Sequence, residues 1–186
     1  QYDGEVTAPL QVSGNYANNV KSTFDGSKWV NSPAIYWADG KFDVFAYYPY
    51  DNPASVDEYK FSVELDQSTP ETADALSGYE ASDFLWGKAT GVAPTKDAVG
   101  ITVKHAMSNV IVKLVAGNGY TAEDMASASV AICGLKTNST INLASGVVTA
   151  TGDVAEITPM VENDYRRALV IPRAARYAAR RAGRQH

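Results

Sequence analysis

Two Asp-Gly pairs, Asp25-Gly26 and Asp39-Gly40, punctuate an aromatic run from Phe24 to Pro49, and this stretch constrains the fold more than any other. Both central residues of a type I′ turn need positive φ, so Asp-Gly between hydrophobic runs reads as a hairpin loop. The stretch holds Phe24, Trp29, Tyr36, Trp37, Phe42, Phe45, Tyr47 and Tyr48, with Tyr50 just beyond. Rings at that density form a core or a binding face. Alternation puts Phe42, Val44, Ala46 and Tyr48 on one side of a strand and Asp43, Phe45 and Tyr47 on the other, and rings on both faces predict a central strand. Most of the stretch therefore reads as the core of an N-terminal sandwich. Its far edge, Tyr47, Tyr48 and Tyr50, reads as a candidate contact surface.

Elsewhere the chain reads as strand after strand. Val6, Ala8, Leu10 and Val12 recur at every second position, which suits a strand with one apolar face, and Pro9 places it at an edge. Phe61, Val63 and Leu65 alternate with Ser62, Glu64 and Asp66 as a strand with one wet face. Ser68 to Gly78 reads as a loop, and Thr90 to Gly100 has linker composition. Val99, Ile101 and Val103 alternate into His105, and Val110, Val112 and Leu114 alternate beyond Ala106-Met107-Ser108, where the length of the run from Val99 to Val115 predicts a bulge or bend. Thr121, with Asp124 three residues on, is placed to cap one helical turn. Val130 and Ile132, Ile141 and Leu143, Val147 and Val148, and Leu169 to Ile171 read as short strands between Gly, Ser and Asn turns. Strands at this spacing with little helix signal describe an all-β sandwich fold. Sixteen of the nineteen rings precede residue 87. Residues 1–97 are thus expected to form an aromatic-rich sandwich and residues 98–172 a second one that relies on Val, Ile and Leu.

Chemistry is sparse. The two histidines, His105 and His186, come without a nucleophile elbow, a zincin helix, a phosphate-cradling glycine loop or Cys/His ligand spacing. His105 is the one candidate general base, and the simpler reading is a partly buried histidine bonded to a backbone group or carboxylate. The acid pairs Asp57-Glu58 and Glu123-Asp124 sit in loop-like context, where neighbours on a strand point apart. Asp51, Asp57 and Asp66 lack EF-hand spacing and read as solvated loop charge. The lone Cys133 closes no disulfide and reads as a small buried hydrophobe. Asn138-Ser139-Thr140 is formally a glycosylation sequon. No catalytic, cofactor or metal site is assigned, and the chain is read as a non-enzyme.

Charge is uneven. All 21 acidic residues and all nine lysines precede Arg166, while all seven arginines lie from Arg166 to Arg184. An acidic body argues against nucleic acid as partner, since phosphate contacts are made by Lys and Arg. Residues 173–186 form a basic Arg/Ala tail whose composition, after a body that is Arg-free up to Tyr165, looks like reading-frame or junction sequence. No apolar run approaches the roughly 20 residues that span a bilayer. A starting Met, basic n-region and apolar h-region are absent, so any export segment is expected to have been removed or left outside this sequence.

FDGSKW, YWADGKFDVFAYYP, SDFLWG, VKHAMSNVIVKL and YRRALVIP, in this order between Thr23 and Pro172, resemble the fimbrillin-like proteins, subunits of type V pili on Gram-negative anaerobes. The resemblance implies a lipoprotein precursor exported to the outer membrane, with no catalysis and no cofactor. It further implies two transthyretin-like Greek-key β-sandwich domains and assembly by strand exchange after an N-terminal strand is removed. The partners so implied are other fimbrial subunits, in a homo- or hetero-polymer, and surface proteins or glycans of host or bacteria. The membrane is reached only through a lipid anchor on the precursor. Val6, Ala8, Leu10 and Val12 are the candidate strand-exchange segment. The chain departs from the family at Ile171-Pro172-Arg173, where Ile-Pro-Gln and further strands are usual, so the second sandwich is expected to be incomplete. The alternative reading is a surface carbohydrate-binding β-sandwich that stacks sugars on Tyr47, Tyr48 and Tyr50.

Overall fold

The protein is described here by a computed structural model over residues 8–173. It is almost entirely β, with its strands in antiparallel sheets.

The first Asp-Gly pair closes the expected hairpin, though through the four-residue loop Asp25–Lys28 with only Gly26 at positive φ and not as a type I′ turn. β1 (Lys21–Phe24) pairs with β2 (Trp29–Ser32). Gly26 takes φ 96°, a region closed to most side chains, while Asp25 Oδ1 accepts the backbone N–H groups of Ser27 and Lys28, each at 2.9 Å. The second pair keeps its turn, with Gly40 at φ 104°, but closes no hairpin. Pro33 removes a ladder donor straight after β2, and Ile35-Tyr36-Trp37 is not the strand the pattern predicts.

β3 (Phe42–Tyr48), β5 (Leu85–Val92) and β6 (Val103–His105) form a sheet in the order β3-β5-β6. β3 is therefore an edge strand and not the central one expected. Its rings are covered by side chains from other segments: Tyr16 and Trp37 lie 4.9 and 5.7 Å from Phe42, and Tyr47 stacks on Phe84 at 6.2 Å.

β4 (Tyr59–Ser62) follows the expected alternation only in part: Phe61 and Val63 are buried, as is Tyr59, and Lys60, Ser62 and Glu64 are exposed, but Leu65, expected on the same apolar face, lies past the end of the strand and is 52% exposed. It pairs with β8 (Ile132–Asn142), which pairs with β9 (Val147–Ile157). The short strands expected around Ile132, Ile141 and Val147 are thus the ends of one long hairpin, because intervening Thr, Ser and Asn residues make ladder bonds without contributing apolar signal.

The third sheet has the order β10 (Met160–Glu162), β11 (Tyr165–Val170), β7 (Ser108–Lys113). The predicted bend lies between β6 and β7: Met107 is buried there and the chain passes from one sheet to another. α2 (Ala122–Ser127) starts with the expected Thr121–Asp124 capping box. α1 (Gly78–Ala81), capped by Ser77, begins at the end of the expected Ser68 to Gly78 loop.

Phe84 is the centre of the core, fully buried and ringed by Tyr47, Tyr59 and Phe61 at 6.2, 5.7 and 5.2 Å. Burial of each such ring contributes about 1.5–3 kcal/mol. The opening aromatic run supplies little of it. Phe24, Trp29 and Tyr36, expected inside, are 53%, 69% and 77% exposed. Every residue of β1 and β2 is exposed, since among the described residues no sheet or helix covers either face of that hairpin. The boundary expected between residues 97 and 98 falls between β5 and β6, which pair with each other, and β4 pairs with β8. The core cluster likewise joins Tyr59, Phe61 and Phe84 to Ile141, Ile157 and Leu169.

Candidate functional site

β9 is the edge of its sheet, and among the described residues its outer side has no ladder partner from Val147 to Ile157. Alternation turns Val148 and Ala150 toward the core cluster, yet both stay only half-buried. β11 runs out beside them. Ile171 is buried, Pro172 half-buried and Arg173 exposed. These three residues, with Lys136, Val148, Thr149 and Ala150, line an open cleft of about 380 Å³. An edge strand with unpaired N–H and C=O groups beside an uncovered apolar strip can take an added strand.

The candidate strand-exchange segment is only partly visible. Val6 lies outside the described residues. Ala8, Leu10 and Val12 do not form a strand: Ala8 and Val12 are exposed, and Leu10 packs against the core cluster. The backbone there is turned by side chains instead. Gln11 N–H donates to Asn15 Oδ1 at 3.0 Å and Asn15 N–H to Asn18 Oδ1 at 2.9 Å.

The candidate contact tyrosines do not form one platform. Tyr47 points inward: its ring lies on Phe84, and its hydroxyl sits 2.5 Å from Asn19 Oδ1 and 2.8 Å from the Asp51 carbonyl, with burial pushing its pKa up. Tyr48 and Tyr50 are 39% and 45% exposed, and Lys21 Nζ lies 5.5 Å over the Tyr50 ring. The larger exposed ring surface belongs to Phe24 and Trp29, whose rings touch at 5.6 Å on the β1–β2 hairpin, and to Tyr36. Sequence reasoning placed those rings inside because composition does not say which faces remain bare.

The remaining polar candidates stand apart from one another. His105 Nδ1 lies 2.8 and 3.0 Å from the Asp83 carboxylate, as the simpler reading predicts, but the imidazole is 71% exposed and not partly buried. Cys133 is exposed, a correction to the buried reading; its Sγ lies 3.5 Å from Glu156 Oε2, and that hydrogen bond holds the thiol pKa up, against nucleophilic use. Asp51 accepts the Tyr59 hydroxyl, Asp57 accepts Asn142 Nδ2, and Asp66 accepts Ser68. Asp124 serves the cap of α2. Among the described residues no three metal-ligating side chains come together, and no helix is long and apolar enough to cross a membrane. The basic tail beyond Arg173 lies outside the described residues.

The sequence pattern of the family described as fimbrillin-like matches residues 4–182. The chain is also similar in fold to the crystal structure of a candidate cell adhesion protein from Bacteroides uniformis, with a TM-score of 0.63 and 22% identity over 82% of this chain and 56% of that one. The chain thus spans little more than half of that protein's length. Among curated proteins no significant match is found.

Proposed function

The chain belongs to the fimbrillin-like family, and from that premise we propose that it is a non-catalytic fimbrial subunit or surface adhesin that assembles by strand exchange. The observation that carries this reading is the bare edge of β9 beside half-buried Val148 and Ala150, where Ile171 and Pro172 lead the chain into an open cleft. A strand added there gains ladder bonds of about 0.5–1.5 kcal/mol each, together with burial of the apolar strip. The partners of such a subunit are other fimbrial subunits, and its place is the outer cell surface, reached through an exported, lipid-anchored precursor. The N-terminal segment that includes Val6, Ala8, Leu10 and Val12 is the removable piece in this reading, and Leu10 is its contact with the core.

Size-exclusion chromatography with light scattering tests the proposal. Removal of residues 1–13 is expected to convert a monomer into discrete oligomers, and Ala150→Lys, which sets a charge in the β9 strip, is expected to suppress them. A truncated protein that stays monomeric and equally stable would sink the strand-exchange reading. The exposure of Tyr48 and Tyr50 supports the second reading, carbohydrate binding. Glycan-array binding that is lost in Tyr48→Ala and Tyr50→Ala would favour it.

A further inference from the structure

Residues 15–19 lie against β3 without joining its sheet. Among the described residues no backbone-to-backbone hydrogen bond ties them to the rest of the molecule, and they form no ladder. Side chains do the fastening. The Tyr16 ring meets Phe42, the first residue of β3, at 4.9 Å, and the Tyr16 hydroxyl donates to the Tyr36 carbonyl at 2.8 Å. Near the other end of β3, Asn19 Nδ2 donates to the Asp51 carbonyl at 2.8 Å and to Asn52 Oδ1 at 3.2 Å. The one phenolic proton of Tyr47 is shared between Asn19 Oδ1 and the same Asp51 carbonyl. Asn19 sits at φ 44°, a left-handed backbone that asparagine tolerates better than most residues.

We propose that residues 15–19 are a releasable strap across β3, held shut by the Asn19–Tyr47–Asp51 clasp and opening while the rest of the molecule stays folded. The Asn15–Asn18 hydrogen bonds are internal to the segment and survive its movement, whereas those between Asn15 and Gln11 tie it to the residues before it. Opening therefore breaks the clasp with the Asn19–Asn52 bond, the Tyr16 hydroxyl bond and one ring contact, with Gln11 released or carried along, whereas β8 and β9 open only with the core. Segments with few buried apolar contacts and no ladder sit at the low end of the local-stability range. Release bares Phe42 and the outer edge of β3, which has no ladder partner among the described residues. Tyr47 links the two states to the core, because its hydroxyl is in the clasp while its ring stacks on Phe84. This device does not depend on how subunits join.

Amide hydrogen exchange on the full chain tests it, with Asn19→Gly and Tyr47→Phe. Glycine keeps the left-handed backbone and removes only the side chain, and phenylalanine keeps the ring and removes only the hydroxyl. The expected result is exchange about tenfold faster along the outer edge of β3 in either variant, with β8 and β9 unchanged; the double variant should add little to either single one, since both break one clasp. Unchanged rates in β3 would overturn the proposal. So would a rise in Asn19→Gly shared equally by β8 and β9, which would make the strap part of the global fold.

Discussion

The side chain of Gln67 stands in for a strand beside Leu169: its Oε1 accepts the Leu169 N–H at 2.8 Å and its Nε2 donates to the Leu169 carbonyl at 2.8 Å. β10 pairs only with the first half of β11, from Tyr165 to Arg167. Past that point a fully buried glutamine closes the ladder with one primary amide.

Gln67→Leu is expected to cost about 2–6 kcal/mol, because two buried backbone groups lose their partners at about 1–3 kcal/mol each. Urea unfolding measures it. A loss below about 0.5 kcal/mol would mean that water or a shifted β10 replaces the amide.

Arg166 is the largest fully buried side chain, and its guanidinium meets five backbone carbonyls, those of Asn163, Tyr165, Met125, Ala126 and Ala128, at 2.8–3.1 Å. Three of these lie at the C-terminal end of α2, where helix carbonyls lack partners and a cation complements the dipole. Arg166→Lys is not conservative here, since an ammonium offers three donors and no planar fork. The substitution is expected to cost about 2–4 kcal/mol and to release α2. Exchange that accelerates first in residues 122–128 checks it.

Trp86 clamps the β8–β9 turn, with Nε1 donating to the Leu143 carbonyl at 2.8 Å and the indole lying on Gly146. A Cβ at Gly146 would sit 2.6 Å from Trp86 Cε3, on a residue whose φ is 74°. Gly146→Ala should therefore destabilise by about 1–3 kcal/mol and shift the Trp86 near-UV circular dichroism. An unchanged spectrum and midpoint would show that the clamp gives way freely.

Hydrogen bonds from the Thr121 backbone and side chain hold the Asp124 carboxyl below its ordinary value of 3.8. A depressed folded pKa gives stability that is present above the unfolded value and lost as pH falls through the folded one. The cap of α2 should thus persist at pH 4 and fail below the ordinary value. Carbon-detected NMR titration of Asp124 follows this directly, and Asp124→Asn should remove the acid-side transition.

The expected division at 97/98 is open to a direct experiment, expression of residues 98–172 alone. Because β4 supplies the partner of β8, and Phe84 the centre of the shared core, the piece is expected not to fold. Well-dispersed NMR resonances from it would establish an independent second unit.

Several elements were legible in the residues because their causes are local. Asp25-Gly26 makes its turn with its own side chain and glycine, Thr121 and Asp124 cap each other across three residues, and the alternation of Phe61 and Val63 with Ser62 and Glu64 marks a half-buried strand without reference to its partner. The quoted motifs were enough for the family. Other features were hidden because they depend on what lies opposite. Trp29 and Phe61 are both aromatic residues in short strands, yet one is bare and the other buried, and only the placement of β8 and Phe84 against β4 separates them. The β9 edge is a product of strand order, while the contacts of residues 15–19 with β3 and the Gln67–Leu169 pairing are side-chain bonds between segments far apart in the chain. Sequence alone thus determined strand content, turn chemistry and kinship, which short-range sterics and alternation control. The tertiary structure decided which faces are covered and which edges stay open, since burial and ladder pairing join residues as far apart as Gln67 and Leu169.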